Sequence, residues 1–202
     1  MCRQASLATN HGRSTLFRRG GGTPAVAVES KSGVDDPTWF PDGDSIVFGS
    51  QLLGQPQSIV SIELQTRRVT TIPGSEGLHS SRLSPDGRFI VTMNYPGQTR
   101  QMLFDLGKQK WSQLFESAHG GLGWPQWSAD FVYARDARDQ HAPVLYRIRI
   151  SDRKAERVAT LDVPNGLIGH FGGWMSTTPD GTPLLLRDLE VEEIYALDID
   201  LP

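Results

Sequence analysis

Apolar residues recur at every second position in four short segments of the chain, at 60–64, 102–106, 146–150 and 195–199. A period of two predicts strands with one face against a core. Each segment follows a continuous apolar run, at 45–48, 89–92, 131–134 and 184–186, which is typical of a strand buried on both faces. A further apolar pair follows three of them, such as Val69 and Ile72. We therefore predict units of four short strands.

A short phrase precedes each unit and sets its spacing. It reads Trp-Phe-Pro-Asp-Gly at 39–43, Leu-Ser-Pro-Asp-Gly at 83–87, Gln-Trp-Ser-Ala-Asp at 126–130 and Thr-Thr-Pro-Asp-Gly at 177–181. The anchor residues of the first three copies, Trp39, Leu83 and Trp127, lie 44 residues apart, and that of the fourth, Thr177, follows after 50. A fixed period of this length indicates a solenoid or a propeller. Four-stranded units with almost no helical periodicity favour an all-β propeller of about four antiparallel blades.

The repeated phrase has the chemistry of a hairpin turn. Proline presets φ, aspartate bonds its own local backbone, and glycine accepts a positive φ. A calcium loop would need several oxygen ligands at alternate positions, and only residues 42–44 come near that spacing. The third copy lacks the glycine, so we expect its hairpin to be tighter or irregular. The predicted structural turns are Asp42, Gly43, Asp86, Gly87, Asp180 and Gly181.

The segments 39–48 and 84–91 resemble the blade motif of TolB-like, WD-like β-propellers, and the resemblance extends over roughly residues 14–200. It implies the fold more than a function, because such blades serve adaptors, peptidases and signalling proteins. The tail, 173–188 and 193–198, is similar to the end of propeller regions in large bacterial sensory proteins. There, a winged-helix or a serine/threonine kinase domain precedes the propeller, and neither module is present here.

The strand pattern also divides the chain. We predict a disordered N-terminus at 1–13, a half blade at 14–29, blades at about 37–77, 80–118 and 124–163, and a last blade at 170–202 without its fourth strand. In one interpretation, residues 25–28 supply that strand and close a small ring, which removes open sheet edges. In the other, the chain is the C-terminal part of a larger propeller. We favour the second, because a four-bladed ring does not need the strand at 16–19.

Composition excludes several classes of function. The net charge of -3 and the pI of about 5.9 give no bulk attraction to nucleic acid or anionic membranes. The one cysteine, Cys2, cannot form an internal disulfide,. No apolar run is long enough for a membrane span or a signal peptide. As written, the sequence predicts a cytoplasmic chain, although a full-length parent could place the propeller in the periplasm.

Candidate chemistry is sparse. The loop at 119–123, His-Gly-Gly-Leu-Gly, is similar to an oxyanion-hole loop, but no Gly-x-Ser-x-Gly elbow accompanies it,. His79, His119 and His170 each precede a blade by a few residues and could line one end of a central channel. One hypothesis is that these histidines bind a metal or a ligand. We favour the other, that they are polar loop residues without a ligand.

The sequence therefore predicts a non-catalytic propeller scaffold that binds an unknown protein or small ligand. It is expected to need no cofactor and to bind no nucleic acid. We expect it to be the sensory or interaction part of a larger signalling or regulatory protein. The alternative is the gating propeller of a prolyl-oligopeptidase-like serine hydrolase.

Overall fold

A computed structural model describes residues 5–10, 13–18, 25–29, 34–50, 56–117, 120–136, 139, 142–162, 175–178 and 180–186, with the backbone alone in the first three ranges. These residues form strands and connections, and none of them is helical. No helix that could cross a bilayer is found in this part of the chain. The all-β prediction is confirmed.

Seventeen strands lie in the described ranges, and they form five antiparallel sheets. The first sheet holds β1 (Ala5–Asn10), β2 (Arg13–Arg18) and β3 (Ala25–Glu29). Blade 1 holds β4 (Val34–Trp39), β5 (Ser45–Ser50), β6 (Ser58–Glu63) and β7 (Val69–Thr71). Blade 2 holds β8 (Leu78–Leu83), β9 (Phe89–Asn94), β10 (Arg100–Asp105) and β11 (Lys110–Glu116). Blade 3 holds β12 (Gln126–Ser128), β13 (Phe131–Asp136), β14 (Val144–Arg149) and β15 (Ala155–Thr160). Blade 4 holds β16 (Met175–Thr177) and β17 (Pro183–Leu185).

The N-terminal sheet differs from the expected half blade. Strand β1 (Ala5–Asn10) lies in the segment predicted to be disordered, and it pairs along its whole length with β2. The sheet therefore has three strands where two were expected. The signal was too weak to read because residues 5–10 hold only three apolar side chains, Ala5, Leu7 and Ala8. The predicted lack of a fourth strand in blade 4 concerns residues outside the described ranges.

Apolar clusters fill the spaces between successive sheets. Strand β5 shows why its apolar run is continuous. Val47 packs towards blade 2, in a cluster with Ile90 and Phe104, whereas Ile46 and Phe48 belong to a second cluster on the other face of blade 1. A strand with a sheet on both sides needs apolar residues at every position, so this pattern reports stacked blades.

The first strands of neighbouring blades lie side by side, as β4 does with β8 and β12 with β16. Side chains on these strands donate hydrogen bonds to the backbone of a neighbouring blade. Thr38 Oγ1 donates to the carbonyl oxygen of Ser81 at 3.3 Å, Trp127 Nε1 to that of Arg82 at 2.9 Å, and Thr177 Oγ1 to that of Trp127 at 3.1 Å. These bonds fix the blades against one another near the propeller axis.

The blades have two chemically different ends. The turn end carries the hairpins between first and second strands and between third and fourth strands. The loop end carries the connections between blades and those between second and third strands, such as 72–77 and 94–100. Among the described strands, none of the N-terminal sheet pairs with blade 4, so these strands do not close the sheets into a ring by pairing.

Candidate functional site

The predicted turn residues all lie at the turn end. Gly43, Gly87 and Gly181 have φ of 75°, 73° and 85°. The preceding aspartates act alike, because each accepts a bond from the backbone N–H two residues on. Asp42 Oδ1 accepts from Asp44 at 2.8 Å, Asp86 Oδ1 from Arg88 at 3.0 Å, and Asp180 Oδ1 from Thr182 at 3.3 Å. The carboxylates serve to hold the turns.

Asp86 shows the strongest of these turn networks. Its carboxylate accepts from the Arg88 backbone and from Ser84 Oγ, and it pairs with the Arg88 guanidinium. These donors hold the pKa of Asp86 at about 2. In the third blade, where the glycine is missing, Ala129 takes the left-handed conformation with φ of 46°. The irregular hairpin expected there is therefore present.

Of the three histidines singled out from the sequence, His79 is described, and His119 and His170 lie outside the described residues. His79 belongs to β8 and is only 8% exposed. Its Nδ1 lies 3.1 Å from Ser80 Oγ, and its Nε2 is buried without a partner among the described residues. Burial lowers the pKa of His79, although the nearby Asp36 opposes that shift. The described residues contain no group of three potential metal ligands.

The contact between Ser80 and His79 has the residue types of a nucleophile and a base, but it arises from a bulge in β8. Ser80 has φ of 54° at a bulge in β8, and Asp36 has φ of 48° at the bulge of β4. The two positions are 44 residues apart, which is the repeat spacing, so the left-handed residue belongs to the blade. Ser80 is also fully buried. The contact is thus a structural feature of the bulge.

An ion pair links the bulges of blades 1 and 2. Arg82 Nη2 donates to Asp36 Oδ1 at 2.7 Å, and Nη1 donates to the backbone oxygens of Asp36 and Ser81. Both side chains are half-buried. The guanidinium joins the Asp36 carboxylate of blade 1 to the Ser81 backbone of blade 2,. We call this contact between the two blades, which lies below the loop end, the seam.

Polar groups from blades 1 and 2 meet at the loop end through a chain of hydrogen bonds. Gln57 Nε2 donates to Asp35 Oδ2 at 2.6 Å. The backbone N–H of Gly77 donates to the carbonyl oxygen of Gln57 at 2.8 Å, and that of Tyr95 to the carbonyl oxygen of Gly77 at 2.7 Å. Burial and the neighbouring Asp36 raise the pKa of Asp35, and the Gln57 bond opposes that shift.

Tyr95 is the first residue of the loop that joins β9 to β10. Asn94, the last residue of β9, sets the shape of this loop. The Asn94 Oδ1 accepts from the backbone N–H of Thr99 at 3.0 Å and of Arg100 at 2.7 Å, and Nδ2 donates to the Pro96 oxygen at 3.1 Å. Tyr95 is 56% exposed, and its ring meets His79 edge-on at 5.3 Å between centroids. The loop therefore presents an aromatic ring in a fixed place.

Sequence reasoning missed this group. Tyr95, Asp35 and Gln57 lie in no repeated motif, and only the Asn-Tyr-Pro-Gly string at 94–97 gave a turn signal,. Their proximity depends on the stacking of two blades, which the strand pattern does not specify in detail.

In the glycine loop that is similar to an oxyanion-hole loop, the amides of Leu122 and Gly123 are hydrogen-bonded. The N–H of Leu122 donates to the Gln98 oxygen at 3.0 Å, and that of Gly123 to the Arg135 oxygen at 2.7 Å. Gly120 and Gly121 have positive φ, and a Cβ on Gly120 would lie 3.1 Å from the Gly97 oxygen. These glycines allow two loops to approach closely.

The fold has known counterparts among solved structures. TolB from Acinetobacter baumannii matches over 90% of this chain, with a TM-score of 0.67 and 16% identity. A putative TolB from Agrobacterium tumefaciens matches over 89%, with a TM-score of 0.63 and 21% identity. This chain has the fold of a TolB-like β-propeller. It spans 46% and 66% of the lengths of those two proteins.

Other propellers share the fold at similar levels. A chain of a nidogen/laminin complex matches over 80% of this chain and 64% of its own length, with a TM-score of 0.61 and 16% identity. A prolyl endopeptidase matches over 87% and 31%, with a TM-score of 0.60 and 11% identity. No protein-family model matches the sequence, and no curated protein does. At these sequence identities, the similarity to TolB and to the other propellers shows the fold alone.

Proposed function

We propose that this chain is a non-catalytic propeller scaffold whose loop end binds a protein partner. The observation that carries the proposal is the exposed, internally fixed loop at 94–100, which is joined by hydrogen bonds to Gln57 and Asp35 of the preceding blade. Rigid blades carry loops whose shapes are set before binding, and this reduces the entropy lost on association. The nidogen/laminin complex is a precedent for a propeller of this fold in a protein assembly.

We further propose that the scaffold is the interaction part of a larger signalling or regulatory protein. One observation supports this: the tail, at 173–188 and 193–198, is similar to propeller ends in bacterial sensory proteins. The catalytic or DNA-binding step would then belong to another part of that protein.

Site-directed photo-crosslinking tests the binding role. Cys2→Ser removes the one cysteine, and a benzophenone label is then attached at Pro56→Cys on the loop end or Lys108→Cys on the turn end, both exposed. We expect a discrete adduct in a lysate of the source organism from the first position. The adduct should be re-formed with the purified partner. Crosslinking confined to Lys108→Cys would contradict the proposal.

A second candidate function rests on the prolyl endopeptidase match. In this alternative the chain is the gating propeller of a serine hydrolase. The test is hydrolysis of a chromogenic prolyl peptide. An activity that stays with the chain through repeated purification would favour the enzyme and overturn the scaffold proposal. We expect no such turnover.

A further inference from the structure

A glutamine occupies a place in blade 2 that blades 1 and 3 fill with an aliphatic side chain. Gln101 is the second residue of β10, as Ile59 is of β6 and Leu145 is of β14. All three side chains are 0% exposed. Because apolar volume is enough at this position in the two neighbouring blades, packing does not explain the amide of Gln101.

The Gln101 amide is buried without a hydrogen bond. Neither its oxygen nor its nitrogen has a partner among the described residues, and water does not reach them in this conformation. An unpaired amide in the interior costs free energy relative to a paired or hydrated one. Buried polar groups are almost always paired in folded proteins, so this amide indicates a partner from outside the chain.

A second unpaired group lies in the same row of blade 2. Met93 on β9 stands opposite His79 on one side and opposite Gln101 on the other. Directly opposed residues of antiparallel strands point to the same face of a sheet, so His79 and Gln101 flank Met93 on one face, about 10 Å apart between Cα atoms. His79 is 8% exposed, and its Nε2 is also without a partner among the described residues.

This row faces blade 3 at the loop end. Phe115, which stands opposite Gln101 on β11, packs against Tyr146 of blade 3 with 5.2 Å between ring centroids. Below the row, Val91 and Leu103 belong to the apolar cluster between blades 2 and 3. Two hydrogen-bonding groups therefore lie above an apolar floor, which is the usual composition of a ligand site.

The loop at 94–100 lies above this row, because Met93 and Gln101 form the ladder pair nearest to it. The loop is joined to the connection that leads to blade 3, where the backbone N–H of Leu122 donates to the Gln98 oxygen at 3.0 Å. A guest can therefore reach Gln101 only when the loop separates from Leu122. The internal bonds of Asn94 allow the loop to move as a unit.

We propose that His79 and Gln101 form a binding site for a neutral carboxamide, which the protein partner presents as an asparagine or glutamine side chain when the loop at 94–100 separates from Leu122. A carboxamide carries a donor and an acceptor in one plane, so it can pair with both free atoms of the Gln101 amide. The Nε2 of a neutral histidine can complete the set as donor or acceptor. This inference rests on the proposed binding function and names the group that is recognised.

A charged guest would fit this site less well. Burial lowers the pKa of His79, so its ring is neutral at neutral pH. The other three residues of the row, Met93, Gln101 and Phe115, carry no charge. A charged group would therefore lose its hydration without a compensating charge from the row.

NMR of the full chain during titration with acetamide tests the proposal, because acetamide reproduces the end of an asparagine or glutamine side chain. Acetone has nearly the same shape without N–H donors, and acetate is the charged counterpart. We expect acetamide to cause saturable shifts of the Gln101 side-chain amide and of the His79 ring signals. Acetone and acetate should bind at least about fivefold more weakly.

Substitution of Gln101 locates the binding. Gln101→Leu gives blade 2 the residue that blade 3 has at this position, and it should abolish the saturable response to acetamide. It should also slow hydrogen exchange of the Leu122 amide about tenfold and raise the Tm by about 2–4 °C, because the closed state no longer buries an unpaired amide. Gln101→Met, which is close to glutamine in volume, should behave alike. Gln113→Leu, the same change at an exposed position of blade 2, should leave all three measurements unchanged.

Three outcomes would overturn the inference. The first is an acetamide response that does not saturate or that acetone reproduces. The second is a Gln101→Leu chain that binds acetamide as the wild type does. The third is a loss of stability in both Gln101→Leu and Gln101→Met, which would show that the amide is paired in the folded chain. Each outcome leaves the proposed binding role to be judged by crosslinking from Pro56→Cys, which does not depend on Gln101.

Discussion

The two ends of the blades use similar residue types for different purposes. At the turn end, Asp86 spends its carboxylate on its own backbone and on Arg88, and Gly87 takes the conformation that the turn requires. At the loop end, Asp35 and Tyr95 are both exposed and are linked through Gln57 and the backbone of Gly77. The turn-end residues recur between blades, whereas the loop-end residues differ from blade to blade. The recurring residues, such as Asp42 and Asp86, hold the turns of the blades. The proposed binding residues lie where the blades differ.

The sheet core between the two ends should carry the largest effect. Phe104 is 1% exposed and packs against Trp111 at 4.8 Å between ring centroids. Phe104→Ala should lower the free energy of unfolding by about 3–5 kcal/mol, because it leaves a cavity between blades 1 and 2. Urea denaturation measures the loss. A loss below about 1 kcal/mol would refute the packing described here.

The next largest effect on stability concerns the backbone conformation of the turn end. An alanine Cβ at Gly87 would have an unfavourable φ of 73° and would lie 2.9 Å from Pro41 Cδ. Gly87→Ala should therefore cost about 1–3 kcal/mol of stability and leave crosslinking from the loop end unchanged. Gly107→Ala is the control, since its Cβ meets nothing closer than 3.4 Å. Equal stability of the two variants would show that the turn is not constrained.

The seam below the loop end is expected to contribute somewhat less. Arg82→Ala removes the bonds to Asp36 and leaves that half-buried carboxylate without its cation. We expect a loss of about 1–2 kcal/mol, and differential scanning calorimetry would record it as a lower Tm. Arg68→Ala, which removes an exposed pair at 3.7 Å, should change stability by less than about 0.5 kcal/mol. Equal losses would argue against a special role for the seam.

Much of this architecture could be predicted from the sequence, because alternation and the Asp-Gly turns are local signals. The blades follow from signals that can be seen in a short stretch of sequence, such as the apolar run around Val47 and the turn at Asp86. The loop-end group could not be predicted, since the bonds from Gln57 through Gly77 to Tyr95 and the Asp36–Arg82 pair depend on how blades 1 and 2 stack. The strand β1 was missed for a related reason: its sequence carries little apolar signal of its own.

The smallest effect concerns the pH dependence of the turn end. The pKa of Asp86 in the folded chain, about 2, lies below the ordinary value of 3.8. Its stabilisation is therefore complete above about pH 3.8, declines as pH falls, and is lost below about pH 2. Asp86→Asn should thus be less stable than the wild type by up to about 1 kcal/mol at neutral pH, and the difference should shrink on acidification. Denaturant melts at several pH values measure it, and a constant difference would be the contrary result.

Amide NMR of the full chain during a titration with the partner identified by crosslinking tests the contrast between the two ends most directly. The account predicts shift changes that saturate at Gly77, Tyr95 and their bonded neighbours, with none at Asp86, Gly87 or Lys108. Changes centred on the turn end, or spread evenly over both ends, would contradict it.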